Sequence, residues 1–302
     1  MITTIYVNGC SWTDGDTFVT SGLLDKLGLP QPGKQYAYPK LLADYYELEL
    51  VDESRFGGSL NRVVRMTWEY INTQQDISNT VFILEIPNGF RDEVYSSEYE
   101  TYINVTSGNL RNVQDITEAD TVWKKTKDDI ITFYERFWDY GKFKFKEYID
   151  FMSLVSYIKQ KTNNIFLIQY NEILNHEYVK FDKNLLNKEN LIRLTHPTFK
   201  KGKVYDNIWH MSESEKISIG DVMGFVDTHL NIDGHVILSE IIIKHLNKIK
   251  DVKDYIKERD REKIQQEKND KKQKMLIEKM ENKKLLEEKK IREEIIKAKK
   301  LF

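Results

Sequence analysis

Ile2-Thr3-Thr4-Ile5-Tyr6-Val7-Asn8-Gly9-Cys10-Ser11-Trp12-Thr13 opens the chain with a β-branched run that halts at Asn8-Gly9 and then presents a serine. The run predicts a buried strand, and the glycine a tight turn at its end. Further strands are predicted over 48–51, over Thr80–Ile86 (closed by Pro87-Asn88-Gly89) and over 164–169. Between them, Tyr38–Tyr46 has helical spacing with Pro39 tolerated in the first turn. Residues 59–73 place Leu60, Val63, Val64, Thr67 and Tyr70 or Ile71 on one face, and 237–246 form a last amphipathic helix after Gly234. Strand, glycine turn, helix, strand, repeated, predicts an α/β fold whose parallel sheet is covered on both faces. Residues 91–145 interrupt the pattern as an insertion near the active edge, with a helix expected around 122–140. A second irregular region, 171–222, is expected to hold a strand or turn near 217–222.

The charge is distributed unevenly. Residues 251–302 carry 18 Lys/Arg and 13 Asp/Glu of the chain's 46 and 48, so this tail is about +5 and residues 1–250 about −7. A mildly acidic body lacks the basic face that phosphate contacts need, which argues against nucleic acid as a partner. The tail has no Gly or Pro, and Ile264, Met275 and Leu286 recur every eleven residues, as do Met280, Ile291 and Phe302. A long charged C-terminal helix follows. It either pairs with a partner or a second copy in a right-handed supercoil, or stands alone on Glu/Lys pairs. The organisation expected is therefore a domain over 1–250 and a helical tail over 251–302.

Cys10 is the single cysteine, so no intrachain disulfide framework exists. The N-terminus lacks the basic and apolar segments of a signal peptide, and no window approaches the roughly 18 apolar residues of a membrane span. Synthesis in the cytoplasm without a membrane anchor is expected. His196, His210, His229 and His235 lack metal-ligand spacing, and no glycine-rich phosphate loop is present, so neither metal nor cofactor is expected.

Two distant segments carry the chemistry. Ser11 follows Gly9-Cys10, and either projects above the sheet edge or caps the next helix. Asp227 and His229 precede Leu230-Asn231-Ile232-Asp233-Gly234-His235. A carboxylate beside a histidine can fix its tautomer and stabilise the imidazolium formed when a serine loses its proton. In an α/β fold both segments can reach the carboxyl edge of the sheet. Gly57, Gly58, Ser59 and Asn61 sit at the second strand-to-helix junction, where amides can donate to an oxyanion, or where Ser59 caps a helix. Asn88 offers a further side-chain donor or a turn residue, and His235 reads as structural.

In this order the blocks resemble the SGNH (GDSL-like) hydrolases over about residues 1–250. The resemblance implies a flavodoxin-like three-layer α/β/α fold, with Ser11 as nucleophile, His229 as base and Asp227 as its orienting acid. It also implies an oxyanion hole built from Ser11, Gly57 (or Gly58) and Asn88. Three blocks depart from the family pattern. Gly9-Cys10-Ser11 replaces Gly-Asp-Ser, and Glu85-Ile86-Pro87-Asn88-Gly89-Phe90-Arg91 replaces Gly-x-Asn-Asp, which leaves Asn88, backbone groups or Arg91 as the remaining donor. One residue rather than two separates Asp227 from His229.

The activity implied is hydrolysis of an ester, an O-acetyl group on a carbohydrate above all. The alternative is a hydrolase-derived glycan-binding or structural module docked through its C-terminal helix. Gly-Cys-Ser-Trp-Thr is similar to the turn of phage-encoded and capsule-locus members, which adds virion association as one expected setting. Deleting residues 255–302 should change assembly while the body stays folded, read by light scattering and circular dichroism. Unfolding of the truncated chain would contradict this.

Overall fold

The computed structural model describes residues 2–15, 17–31, 33–55, 57–87, 91–97, 100–106, 132, 140–169, 190–199, 203–205, 207–224 and 227–299. Two compact units divide the chain, Met1–Asp251 and Val252–Phe302. The first begins with β1 (Thr4–Asn8), α1 (Ser11–Asp14), α2 (Thr17–Thr20), α3 (Leu23–Leu27), α4 (Tyr38–Tyr46), β2 (Glu49–Asp52), α5 (Leu60–Thr73) and β3 (Thr80–Ile86). A hairpin of β4 (Arg91–Ser96) and β5 (Thr101–Thr106) follows, then α6 (Tyr140–Lys161) and β6 (Ile165–Gln169). The remainder comprises the short pair β7 (Leu194–Thr195) and β8 (Val204–Tyr205), α7 (Ile208–Glu215), α8 (Ile219–Met223), α9 (Ile232–Leu246) and α10 (Lys250–Lys299).

β2, β1, β3 and β6 form one sheet in that order, every pair parallel. This is the strand order of a flavodoxin-like doubly wound sheet, with β6 in fourth place. All seven residues of β3 are buried, as a strand covered on both faces requires. Tyr6, Phe82, Leu84, Ile86, Ile165 and Leu167 pack against Val63 and Ile71 of α5 and against Phe151, Leu154, Val155 and Ile158 of α6. Each such fully buried side chain contributes roughly 1.5–3 kcal/mol. On the opposite face Phe166 meets His245 of α9 edge-on at 5.6 Å, and α9 packs beside α4. The result is a three-layer α/β/α body, followed by the long helix α10.

Three features of the fold were not legible. α6 extends well beyond the expected insertion; exposed Phe145 and Ile149 sit among its core positions and blur the apolar face. Residues 219–223 are helical because the Ser218 hydroxyl accepts from Asp221 N while the Asp221 carboxylate accepts from Ser218 N, a reciprocal cap that starts a helix. The stretch after β3 opens as an antiparallel hairpin tied to α5 by Asn61 Nδ2 to Asp92 Oδ1 (2.7 Å) and by Arg65 to both Glu93 oxygens (2.9 Å each). The helix expected around 122–140 lies outside the described residues, apart from residues 132 and 140.

His235 is buried in the first turn of α9, where its Nδ1 accepts from Tyr38 N at 3.1 Å. Phe18 meets the ring edge-on at 5.0 Å and Tyr38 stacks at 6.0 Å. Burial, reinforced by nearby His229, pulls its pKa down to about 3. The unfolded imidazole titrates near ~6.5, so the unfolded chain takes the proton first and the fold loses stability as pH falls from there toward the folded value. Urea unfolding of the wild type should lose about 2 kcal/mol more than H235Q between pH 7 and 5. Equal losses would show that His235 is charged in the fold.

Candidate active site

Ser11 is the first residue of α1, directly after the strand that ends at Asn8. Cys10, not Ser11, occupies the cap position, so the serine hydroxyl is not spent on the helix start. Instead Ser11 Oγ lies 2.8 Å from His229 Nε2, across 218 residues of sequence. The other ring nitrogen, Nδ1, lies 2.7 Å from Asp227 Oδ1. Hydroxyl, imidazole and carboxylate therefore form one continuous line of hydrogen bonds. Trp12 lies beside the imidazole with ring centroids 5.1 Å apart.

The one-residue spacing of Asp227 and His229 works because Asp227 Oδ1 also accepts the His229 backbone amide, at 2.9 Å. A short Asx turn thereby fixes backbone and ring together. The segment is clamped from outside as well. Ile219 N donates to His229 O (2.7 Å), Gly220 N to Asp227 O (2.9 Å), and Ser212 Oγ to Thr228 O (2.7 Å). Asn231 then caps α9 by accepting from Gly234 N. Burial acts to raise the Asp227 pKa, but the hydrogen bond and charge of His229 outweigh it and the carboxyl is held below its ordinary value.

The loop before α5 lies against this turn. A Cβ on Gly58 would come within 2.8 Å of Gly9 O and 3.5 Å of Cys10 Cα. Gly57 adopts a φ of 74°, which favours glycine. The Gly58 amide is engaged by Arg55 O at 2.9 Å, whereas the amides of Ser11 and Gly57 have no acceptor among the described residues. Ser59 caps α5 by accepting from Arg62 N, so its hydroxyl is structural. Asn61 is turned toward Asp92. Asn88 lies outside the described residues. Arg91 starts β4, and its charge reaches the Cys10 thiol: burial and Glu85 push that thiol up, and Arg91 partly offsets them.

Glu85 was missed as a site residue. It is fully buried at the end of β3 and accepts from Cys10 N (3.0 Å), from Cys10 Sγ (3.1 Å) and from the Thr13 hydroxyl. A lone carboxylate inside an apolar strand was the available signal, since a buried charge must be met by donors. Among the described residues no group of three or more His, Cys, Asp or Glu could hold a metal ion, and no helix is long and apolar enough to cross a membrane.

No protein-family model matches the chain, and no curated protein matches it. Among solved structures, similarity is found to a protein assigned to the G-D-S-L lipolytic family from Desulfitobacterium hafniense, at a TM-score of 0.37 and 9% identity over 80% of this chain and 99% of that one. An alpha/beta hydrolase enzyme from the metagenome of Lake Arreo, Spain, gives 0.38 and 12% over 80% and 94%. Both likenesses are too distant to carry an argument about chemistry.

Gly58→Ala should test how tightly the loop is seated. Its Cβ would press on the backbone oxygens of Gly9 and Arg55, so stability should fall by about 1–3 kcal/mol in urea titrations. A neutral substitution would mean that the loop can withdraw from the turn.

Proposed function

We propose that this chain is a serine hydrolase of carboxylic esters, with Ser11 as nucleophile, His229 as general base and Asp227 as the group that orients and stabilises His229. The hydrogen-bonded line from Ser11 Oγ through His229 to Asp227 carries this reading. His229 Nε2 takes the Ser11 proton as Oγ attacks the carbonyl carbon. The negative charge that develops on the carbonyl oxygen is held by the amides of Ser11 and Gly57, with Asn88 or Arg91 as a further donor. Collapse expels the alcohol, which takes the proton from His229. Water, deprotonated by His229, then attacks the acyl-serine, releases the acid and returns the proton to Ser11.

The acyl group proposed is acetyl and its alcohol a carbohydrate. This finer reading is supported by the family resemblance of the sequence blocks alone, and a virion setting by that of the Gly9-Cys10-Ser11-Trp12-Thr13 turn. The tail is proposed as a separate docking element, because Ile264, Met275, Leu276, Ile277 and Met280 are all exposed on it.

Asp227 has a depressed folded pKa, so the stability from its pairing is present above the ordinary carboxylate value and lost as pH falls through the depressed one. Its carboxylate is therefore charged wherever the imidazole can act as a base. In a p-nitrophenyl acetate assay Ser11→Ala should lower kcat by at least about 10³-fold and Asp227→Asn by about 10³–10⁴-fold, with both variants folded. Turnover by S11A equal to that of the wild type would end this reading.

A further inference from the structure

The register of β1 and β3 pairs Asn8 with Leu84, so Glu85, the next residue of β3, sits beside the point where β1 ends and the chain turns at Gly9. Leu84 and Ile86 point into the core shared with α5 and α6, and Glu85 between them takes the opposite face, where Cys10 and Thr13 are. Its carboxylate is fully buried, and among the described residues no Lys or Arg pairs with it. The three donors that meet it come from only two residues. Cys10 gives its amide and its thiol, and Thr13 gives its hydroxyl. Those residues bracket Ser11, one just before it and one two places after it.

Gly9 fits the same picture. A Cβ there would lie 2.5 Å from both Glu85 Oε2 and Thr13 Oγ1, so the carboxylate is packed directly on the turn. From Thr13 the contacts continue through Tyr38 OH (3.3 Å), and Tyr38 N donates to His235 in the first turn of α9. The same buried group is thus linked to the first turn of the helix that follows His229 in the chain. An apolar residue would suit this strand position better as core, so the carboxylate needs an explanation beyond packing.

We propose that Glu85 is a positioning residue of the site: its buried carboxylate tethers Cys10 and Thr13 and so holds Ser11 Oγ in line with His229 Nε2. The proposal rests on the serine-esterase reading. Glutamine can retain the tether. Its carbonyl oxygen can accept from Cys10 N and Thr13 Oγ1, while its amide faces the Cys10 sulfur, which can accept. Leucine keeps the volume and offers no acceptor.

The test compares wild type, E85Q, E85L and T13V with p-nitrophenyl acetate, measuring kcat and KM separately beside melting curves. A displacement of the nucleophile by about 1 Å can cost about 10²-fold, so E85L should lose kcat by about that factor with KM unchanged. E85Q should return to within about threefold of wild type, and T13V should lose about tenfold. Lowered melting with unchanged kcat in E85L would make Glu85 merely structural and overturn the proposal. A loss in E85Q as large as in E85L would also overturn it, since charge rather than tethering would then matter. Should E85L fail to fold, T13V decides: loss of kcat at constant KM supports the tether, and unchanged kcat refutes it. Should wild type not hydrolyse the ester, the esterase reading fails and native-state alkylation of Cys10 decides the tether. The buried thiol should then react faster in T13V and E85L than in wild type and E85Q, and equal rates would refute it.

Discussion

The parallel register that sets Asn8 beside Leu84 brings two strand ends to one edge of the sheet, and the local geometry of the site follows from it. β1 delivers a glycine turn with its serine, and β3 delivers a buried carboxylate on the same side. Parallel neighbours must be joined by long crossovers, so these ends are free to carry polar groups while the strands themselves stay apolar. α9 then returns along the opposite face, and the segment before it reaches the same edge with His229. Ligands in open α/β sheets bind at this carboxyl edge for the same topological reason.

Two carboxylates serve this edge in different surroundings. Asp227 is partly exposed and bonded to one histidine, and its charge is favoured by that histidine. Glu85 is wholly enclosed and faces neutral donors. The first arrangement suits stabilising a positive charge on His229, as the proposed reaction requires. The second suits holding a backbone still, because satisfied buried hydrogen bonds specify one geometry and leaving any of them unmade is costly. His235, though near His229, is kept neutral by burial and serves the packing of α9 against α4 and α2.

Much of the fold was readable because the sheet strands are mostly apolar and end in glycine or polar turns. Tyr38–Tyr46 and Thr80–Ile86 have the bounds that their patterns imply. Ser11, Asp227 and His229 were readable as residue types in order along the chain, yet their meeting depends on the strand order, which periodicity does not encode. Glu85 escaped because its neighbours made the strand look uniformly apolar, and its partners, Cys10 and Thr13, lie more than seventy residues away. The helix at 219–223 escaped because a five-residue helix has no period to detect; only its Ser218/Asp221 cap marks it.

The most direct measurement of the central claim is covalent labelling with a fluorophosphonate followed by peptide mapping. A serine activated by His229 should take one phosphonyl group on Ser11 in the wild type, and replacing His229 by alanine should prevent it. An adduct on a different serine, or none on a folded protein, would contradict the account.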